Sequence, residues 1–303
     1  MSKKEFQMNI KDIKYYCTLV ETKNFSKVAE QFAVSQPTIT MAIKRLENEF
    51  DTTFFIRDQS HRELRITEAG QQFFLHAQVI LNELTVARQE IAHANDRQIR
   101  FGLPPIIGNF YFPPLTPQLM QAGLMAQLEP YEYGSAHLLK MVQKGELDLA
   151  LLGSLTPISS PQLRTQVLAR YPIKIIVAKN HPLAARQANR VAFHELQSQA
   201  FITLARENEF VHQQAFRHLA QTNHFRPKVL YQTNDVHILK SMVASNLGIA
   251  YLTDLALSPS DNVVPIPLTD ADQPVFLVSA VMRTTTPLTA AIQALWHGLA
   301  AGK

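Results

Sequence analysis

The sequence predicts a small all-α unit with a hairpin near its N-terminal end and a larger α/β unit after it. Three observations lead there. Apolar residues recur every three or four positions up to residue 50, the spacing of amphipathic helices. Phe74, Ala77, Leu81, Leu84 and Ile91 fall near heptad positions, which marks one long helix. From residue 99 onward, short apolar runs alternate with helical patterns, which implies a mostly parallel sheet with helices on both faces.

The first helix carries Ile10, Ile13, Cys17 and Val20 on one face. Asn24-Phe25-Ser26 starts a second, with Val28, Ala29 and Phe32 at helical spacing. Ser35-Gln36-Pro37 opens the third. Ser35 is a capping residue, and Pro37 is harmless in a first turn whose N–H groups have no helical partner. Asp51 stands where the chain must turn, and Asp tolerates a left-handed backbone better than most residues. Phe54-Phe55-Ile56 and Leu64-Arg65-Ile66 read as two short strands around a polar tip at 58–62. Thr67 caps the long helix, which runs to about residue 95. Arg88 interrupts its apolar seam, and Gly70 costs it on the order of 1 kcal/mol that packing must offset. A seam of this kind can pair with a copy of itself.

In the larger unit, strands are expected at 99–103, 128–133, 149–152, 173–178, 201–204, 229–231, 249–252 and 275–281. Helices are expected at 109–122, 136–143, about 208–221 and 236–245, the last ended by Asn246 and Gly248. A final helix carries Leu288, Ile292, Leu295 and Trp296. A Pro/Ser-rich stretch at 156–161 interrupts the alternation.

With 303 residues, 46% of them hydrophobic, each unit is large enough for its own core. The one cysteine, Cys17, excludes an internal disulfide framework and fits a reducing, cytoplasmic home. Asn9, Lys11, Asp12 and Lys14 interrupt the first twenty residues, unlike a secretory leader. No run reaches roughly 18 apolar residues, so no membrane span is expected. A formal charge of +4 and a pI of about 9.1 are compatible with a nucleic-acid partner. Residues 1–70 hold eleven Lys/Arg and ten Asp/Glu, so positive charge there must gather on one face to bind DNA. The sequence has no Gly-rich phosphate loop, no metal-type Cys/His spacing and no Gly-x-Ser-x-Gly elbow. His212 and His218, six apart, fall on different faces of a helix. Cys17, on an apolar face, reads as a small core residue and not as a nucleophile. No catalytic residue, metal or cofactor is assigned, and the chain is not read as an enzyme.

The third helix is where the pattern points to a partner. Ile39, Ile43, Leu46 and Phe50 share one face; Pro37, Thr40, Met41, Lys44 and Asn48 share the opposite one. The first face can seal against the two preceding helices. The second is small, polar or cationic, with one flexible Met, and suits a major groove about 12 Å wide. Gln36 sits at the N-terminal end, where its amide can pair with adenine. Thr38 and Thr40 offer hydroxyls, and Lys44 can neutralise a phosphate. Arg57, on the tip side of the first hairpin strand, can reach a neighbouring phosphate or minor groove. Helix, tight turn, capped helix and hairpin, in that order, describe a winged helix-turn-helix. For an arbitrary helix pair, a polar face that merely meets water is the commoner outcome.

The residues that carry a family resemblance now stand together. They are Asn24-Phe25-Ser26-Lys27-Val28-Ala29-Glu30, Val34-Ser35-Gln36-Pro37-Thr38-Ile39-Thr40, Leu46-Glu47, Phe54-Phe55-Ile56-Arg57 and Leu64-Arg65-Ile66-Thr67-Glu68-Ala69-Gly70. This run resembles the N-terminal signature of LysR-type transcriptional regulators. Ile99-Arg100-Phe101-Gly102, Gly145-Glu146-Leu147-Asp148-Leu149-Ala150, His181-Pro182-Leu183-Ala184 and Gly248-Ile249-Ala250 are similar to that family's effector domain. The resemblance implies an all-α winged helix-turn-helix at 1–66 and a linker and dimerisation helix at 67–96. It implies an α/β, periplasmic-binding-protein-like effector domain at 97–303, with subdomain I at 97–161 and 267–303 and subdomain II at 162–266. The chain is expected to cross between them near 159–162 and again near 264–267. Gln36, Pro37, Thr40 and Arg57 take the family's DNA-contact roles, with Ser35, Thr38, Met41 and Lys44 on the same surface. The implied partners are promoter DNA, RNA polymerase, a small organic-acid effector and further copies of the chain, as a homodimer or homotetramer. Two residues depart from the family: Asp51 stands where Gly is usual, and Met41 where a longer polar side chain is common.

Ligands of open α/β sheets bind beyond the carboxyl ends of strands, often on helix N-termini. The backbone N–H groups of Ile106, Ile107, Gly108 and Asn109 could hold a carboxylate there. Ser135, in Tyr133-Gly134-Ser135, matches the family's hydroxyl position, and Thr203 ends a strand of the other subdomain. All of these also fit ordinary capping, as does Thr233-Asn234-Asp235. The stretch 101–109 is further similar to malolactic-fermentation regulators of lactic acid bacteria, which implies L-malate as effector and a malate-decarboxylating operon as target. A transporter's solute-binding protein and an α/β enzyme with an N-terminal appendage are the alternatives. The first needs an export signal and the second a catalytic constellation.

Overall fold

The computed structural model describes residues 8–57, 64–92, 98–186, 190–205, 211–271 and 273–301. The chain divides into two compact units, Met1–His93 and Ala94–Lys303.

The first unit comprises α1 (Ile10–Thr22), α2 (Phe25–Gln31), α3 (Gln36–Glu49), the strands β1 (Phe55–Arg57) and β2 (Leu64–Ile66), and α4 (Glu68–Ala92). Local capping chemistry fixes each helix start. Asn9 Oδ1 accepts the Lys11 N–H at 2.9 Å, and Asn24 Oδ1 accepts those of Ser26 and Lys27 at 3.0 and 3.1 Å. Ser35 Oγ accepts the Thr38 N–H at 3.4 Å, and Thr67 Oγ1 accepts that of Gly70 at 3.0 Å. Ile13, Tyr16, Leu19, Val28, Ile39, Ile43, Leu46 and Phe54 form the core, with Phe73 and Ala77 of α4 against it. The Phe54 and Phe73 rings stack at 4.8 Å, and the Tyr16 hydroxyl donates to the Gly70 carbonyl at 2.6 Å, tying α1 to α4. Buried Asp12 takes Arg45 bidentately at 2.7 and 2.9 Å, tying α1 to α3. Two expected core residues lie further out. Ile10 begins α1 and is 44% exposed; Phe50 follows the end of α3 and leans on Phe73 with 40% of its surface open. The hairpin tip at 58–62 and the long helix beyond residue 92 lie outside the described residues.

The second unit opens with β3 (Ile99–Gly102), α5 (Pro105–Phe110), α6 (Thr116–Gln121), β4 (Leu128–Tyr131), α7 (Ser135–Gln143) and β5 (Leu149–Ser154). It continues with β6 (Leu163–Ala178), β7 (Ala200–Leu204), α8 (Val211–Thr222), β8 (Lys228–Thr233), α9 (Val236–Ala244), β9 (Ala250–Thr253), β10 (Val263–Ile266), β11 (Val275–Arg283) and α10 (Ala290–Ala301). β3 lies parallel between β4 and β5, and β7 pairs with β8 in parallel. The other ladders, β5–β11, β11–β6, β6–β9 and β6–β10, are antiparallel. The sheet is therefore mixed, not mostly parallel as the alternation suggested. The reason is β6 and β11, two long strands that return through the middle of the sheet.

β6 also carries the first passage between subdomains. Its half up to Pro172 pairs with β11, and from Ile173 it pairs with β9 and β10. The passage expected near 159–162 thus comes about ten residues later. Arg164, Gln166, Arg170 and Pro172 hide the first half, because polar residues and a proline are poor strand signals. The return lies between Asp270, which accepts the Phe193 N–H at 2.8 Å, and Val275, opposite Pro172. The single helix expected at 109–122 is broken. Pro113, Pro114 and Pro117 cannot continue a helical ladder, and a 3-10 turn at Pro113–Leu115 joins α5 to α6. Among the described residues, no helix is long and apolar enough to cross a membrane.

Candidate nucleic-acid interface and ligand cleft

In the first unit α3 divides into two faces. Ile39, Ala42, Ile43 and Leu46 are buried, while Ser35, Gln36, Pro37, Thr38, Met41 and Lys44 are exposed and Thr40 is half-buried. Met41 is 53% exposed, a large apolar side chain held in water at the centre of the polar face. Short-range bonds order the N-terminal end. Ser35 Oγ and Thr38 Oγ1 lie 2.8 Å apart, the Ser26 hydroxyl donates to Gln36 Oε1 at 3.4 Å, and the Thr40 hydroxyl donates to the Gln36 carbonyl at 3.2 Å. Ala33 (φ 52°) makes the sharp turn between α2 and α3.

The hairpin is aimed by α3 itself. Glu47 Oε1 accepts the Phe54 N–H at 2.8 Å and the Phe55 N–H at 3.3 Å. Asp51 adopts φ 48°, so the left-handed turn forms without glycine, and the Thr52 N–H closes it onto the Glu47 carbonyl at 3.0 Å. Arg57 ends β1 opposite Leu64.

Two cavities lie side by side in the second unit and share Pro105 and Ile106 on their rims. The larger, about 250 Å³, is bounded by Asn109 of α5, Leu204 of β7, and Asn234, Asp235, Val236 and His237 at the start of α9. The smaller, about 20 Å³, has room for one water and is walled by Ile107, Gly134, Ser135, Val211, His212 and Phe276. Elements far apart in sequence therefore meet here.

The expected ligand residues distribute unevenly. Ile106 and Ile107 line the small pocket together with Ser135, whose Oγ accepts the Gly153 N–H at 2.9 Å and keeps its own proton to donate. Asn109 lines the larger cavity. The Gly108 N–H is taken inside the helix by the Pro104 carbonyl at 2.8 Å. Thr203 is buried on β7, accepts the Gln232 amide at 3.4 Å, and lines neither of these two cavities. At the start of α9, Asp235 Oδ1 already accepts the His237 and Ile238 N–H groups at 2.6 and 3.4 Å. At the start of α7 the cap is Gly134, which has no side chain to offer.

The sequence reading missed His212 and Phe276. His212 lies at the start of α8, only 3% exposed, its ring against Phe276 at 5.0 Å and its Nε2 without a partner. Burial holds its imidazole near a pKa of about 4, against 6.5 ordinarily. The available signal was its spacing with Ala215, Phe216 and Leu219, which puts a titratable ring on the apolar face.

Comparison with known proteins gives two family matches that together span most of the chain. The model described as a bacterial regulatory helix-turn-helix protein of the lysR family matches residues 10–71, and the LysR substrate binding domain matches residues 92–302. The chain belongs to the LysR family. LysR regulators are DNA-binding transcription factors with an effector-binding domain, and they are not enzymes. The LysR relative from Lactococcus lactis subsp. lactis, a malolactic fermentation system transcriptional activator, is 32% identical over 93% of this chain and 94% of its own length. The hydrogen peroxide-inducible genes activator of Dickeya chrysanthemi is 27% identical over 93% and 91%. Among solved LysR-type structures, full-length BenM matches with a TM-score of 0.54 at 19% identity, covering 96% of this chain and 95% of that one. A full-length OxyR variant from Pseudomonas aeruginosa gives 0.52 at 24% over 97% and 95%. These structural likenesses establish the shared LysR fold.

Proposed function

We propose that this LysR-family regulator reads promoter DNA through Ser35, Gln36, Pro37, Thr38, Thr40, Met41 and Lys44 of the α3 surface, with Arg57 beside it. We propose further that it answers to a small organic acid held between its α/β subdomains. One observation carries the first part: α3 buries Ile39, Ala42, Ile43 and Leu46 while leaving a small, polar, cationic face open. Gln36 reads a base edge, Lys44 neutralises a phosphate, and Met41 packs on a base or sugar. In this reading 1–66 binds DNA, 67–96 links and dimerises, and 97–303 senses. A homodimer or homotetramer sets recognition helices in grooves about 34–36 Å apart, beside RNA polymerase.

L-malate is the leading effector. The Lactococcus relative's role in malolactic fermentation supports it, as does a cavity of about 250 Å³ that shares Pro105 and Ile106 with the small pocket at the uncapped start of α7. Ile106, Ile107, Gly108, Asn109, Ser135 and Thr203 are the contacts to test. A thiol-based peroxide response, which several relatives' names suggest, has little to work with. Cys17 is the only cysteine, buried in the helical core, and burial pushes its thiol up to about 12.

Gel shifts across a salt series test the DNA part. Gln36→Ala should cost about 1–3 kcal/mol on the operator and little on random DNA, while Lys44→Ala should weaken both alike and flatten the salt slope. Equal losses on both DNAs for Gln36→Ala remove its base-reading role. Thermal shift against a panel of organic acids tests the effector, because a ligand at 100 times its Kd adds about 2.7 kcal/mol.

A further inference from the structure

We infer that His212 receives one carboxylate of the effector at Nε2 and that binding takes up a proton on this ring. The inference rests on the reading of the cleft as an organic-acid site, and it names the residue and the regulation that site would have. A buried imidazole nitrogen with no partner is a cost the fold carries without return in the free protein. Nε2 of His212 is such an atom, and the ring lines the small pocket.

The other polar groups around it suit the same end group. Ser135 holds a hydroxyl proton to donate, and the nine-residue α7 starts at Gly134 without a side-chain cap. The pocket itself has room for one water, but its rim residues Pro105 and Ile106 also border the larger cavity. An elongated acid therefore lies in the larger cavity and sends one carboxylate toward His212.

The charge balance fixes the proton's part. Among the described residues, no charged side chain lines the small pocket, and burial is what lowers the pKa of His212. Of the elements packed on α8, β7 holds no ionisable residue, and β9 holds Tyr251, a phenol that burial keeps protonated. β11, through Phe276, brings only Arg283, at its far end. His137, on α7, faces out against Tyr133. The ring is thus neutral in the free protein, and among the described residues no cation of the small pocket is ready to meet an anion. A carboxylate brought beside it raises its pKa by one to three units or more in a dry site. The proton comes from solvent, the imidazole becomes imidazolium, and its Nε2–H donates to the carboxylate. The sign follows: affinity rises as pH falls from the bound pKa toward the free one near 4.

The test is calorimetric titration of the full-length chain with L-malate, succinate and citrate, in buffers of different ionisation enthalpy, at several pH values. Proton uptake, after subtraction of the acid's own ionisation, should grow from near zero at about pH 8 toward one per site at about pH 5.5, with Kd for the ionised acid falling severalfold over that span. Uptake should vanish in His212→Gln and persist in His237→Gln, which alters the other histidine at the cleft. Nitrogen-15 NMR of labelled histidine in the unsubstituted protein provides a readout that needs no folded variant: the His212 signal should move to the imidazolium position on saturation. Acid binding without uptake, or with uptake unchanged in His212→Gln, overturns the role of His212 and leaves the organic-acid site standing. Failure of all three acids to bind overturns the carboxylate class and this inference with it.

Discussion

Glu47 offers the sharpest test of how the DNA-binding unit is put together. Its carboxylate accepts two backbone N–H groups at the start of the hairpin, that of the wholly buried Phe54 at 2.8 Å and that of Phe55 at 3.3 Å. Replacing it with Ala leaves both without that acceptor. A hydrogen bond to a charged group contributes about 1.5–3 kcal/mol. The longer Phe55 contact adds little, so the loss should be about 2–3 kcal/mol. For a domain of 60–100 residues each kcal/mol moves Tm by about 4–8 °C, so the transition should fall by roughly 10–20 °C. Glu47→Gln, which keeps one acceptor oxygen, should recover about half. The assay is thermal unfolding followed in two ways. Far-ultraviolet circular dichroism sees the helices of both units, whereas the single tryptophan, Trp296, reports only the larger one. The dichroism should develop an early step while the Trp296 transition stays put. An Ala variant whose helical unfolding stays within about 2 °C of the parent would refute the assignment of Glu47 as the hairpin's anchor.

Gly70→Ala should destabilise by about 1–3 kcal/mol, although Ala is the better helix former by about 1 kcal/mol. Its Cβ would sit 2.6 Å from the Phe54 carbonyl oxygen and 2.7 Å from Ile66 Cγ1; an unchanged urea midpoint would contradict that crowding. Cys17 should resist thiol reagents in the native chain and react fully in denaturant, and peroxide should leave operator binding intact; rapid native labelling would show the thiol to be open. His212 is predicted to make the larger unit acid-sensitive. Its folded pKa near 4 lies below the unfolded 6.5, so the full contribution is present above pH 6.5 and is lost as pH falls through 4. The span is worth about 3 kcal/mol, and His212→Gln should flatten the urea-midpoint profile between those limits; an unaltered profile contradicts the buried neutral ring.

The two units were not equally legible, and the difference is one of range. The caps and turns that bound the elements of the first unit act within a few residues: Asn24 on Ser26, Ser35 on Thr38, Thr67 on Gly70, Asp51 at its own turn. Sequence spacing reports such contacts directly. Phe50 and Ile10 escaped because periodicity assigns a face but cannot tell that a helix end leaves its face uncovered. Proline gave the reverse error. Apolar spacing alone runs a helix through 109–122, whereas the missing N–H groups of Pro113 and Pro114 divide it. In the sequence Glu47 stands out only as the partner of Leu46 in the family motif. Its bonds to Phe54 and Phe55, seven and eight residues on, are too distant for a helix pattern and too close for a topology argument.

The sensing unit works by contacts that no local pattern encodes. Its cavities join residues near 105, 135, 212, 235 and 276, and the polar ring that matters most sits where an apolar residue would serve the helix equally well. The same long range governs how the unit can move. β6 is one unbroken strand that serves both subdomains and changes partners between Pro172, opposite Val275, and Ile173, opposite Thr253. Pro172 has no N–H to give to a ladder, so the exchange falls where the strand is already short of a bond. A closing of the proposed cleft on a ligand would be taken up at this step, where β6 leaves the β11 ladder for those of β9 and β10. A ligand that bridges α5 and α7 of one wall to β7, α8 and α9 of the other would act across this step, and only its differential affinity for the open and closed forms can drive the change.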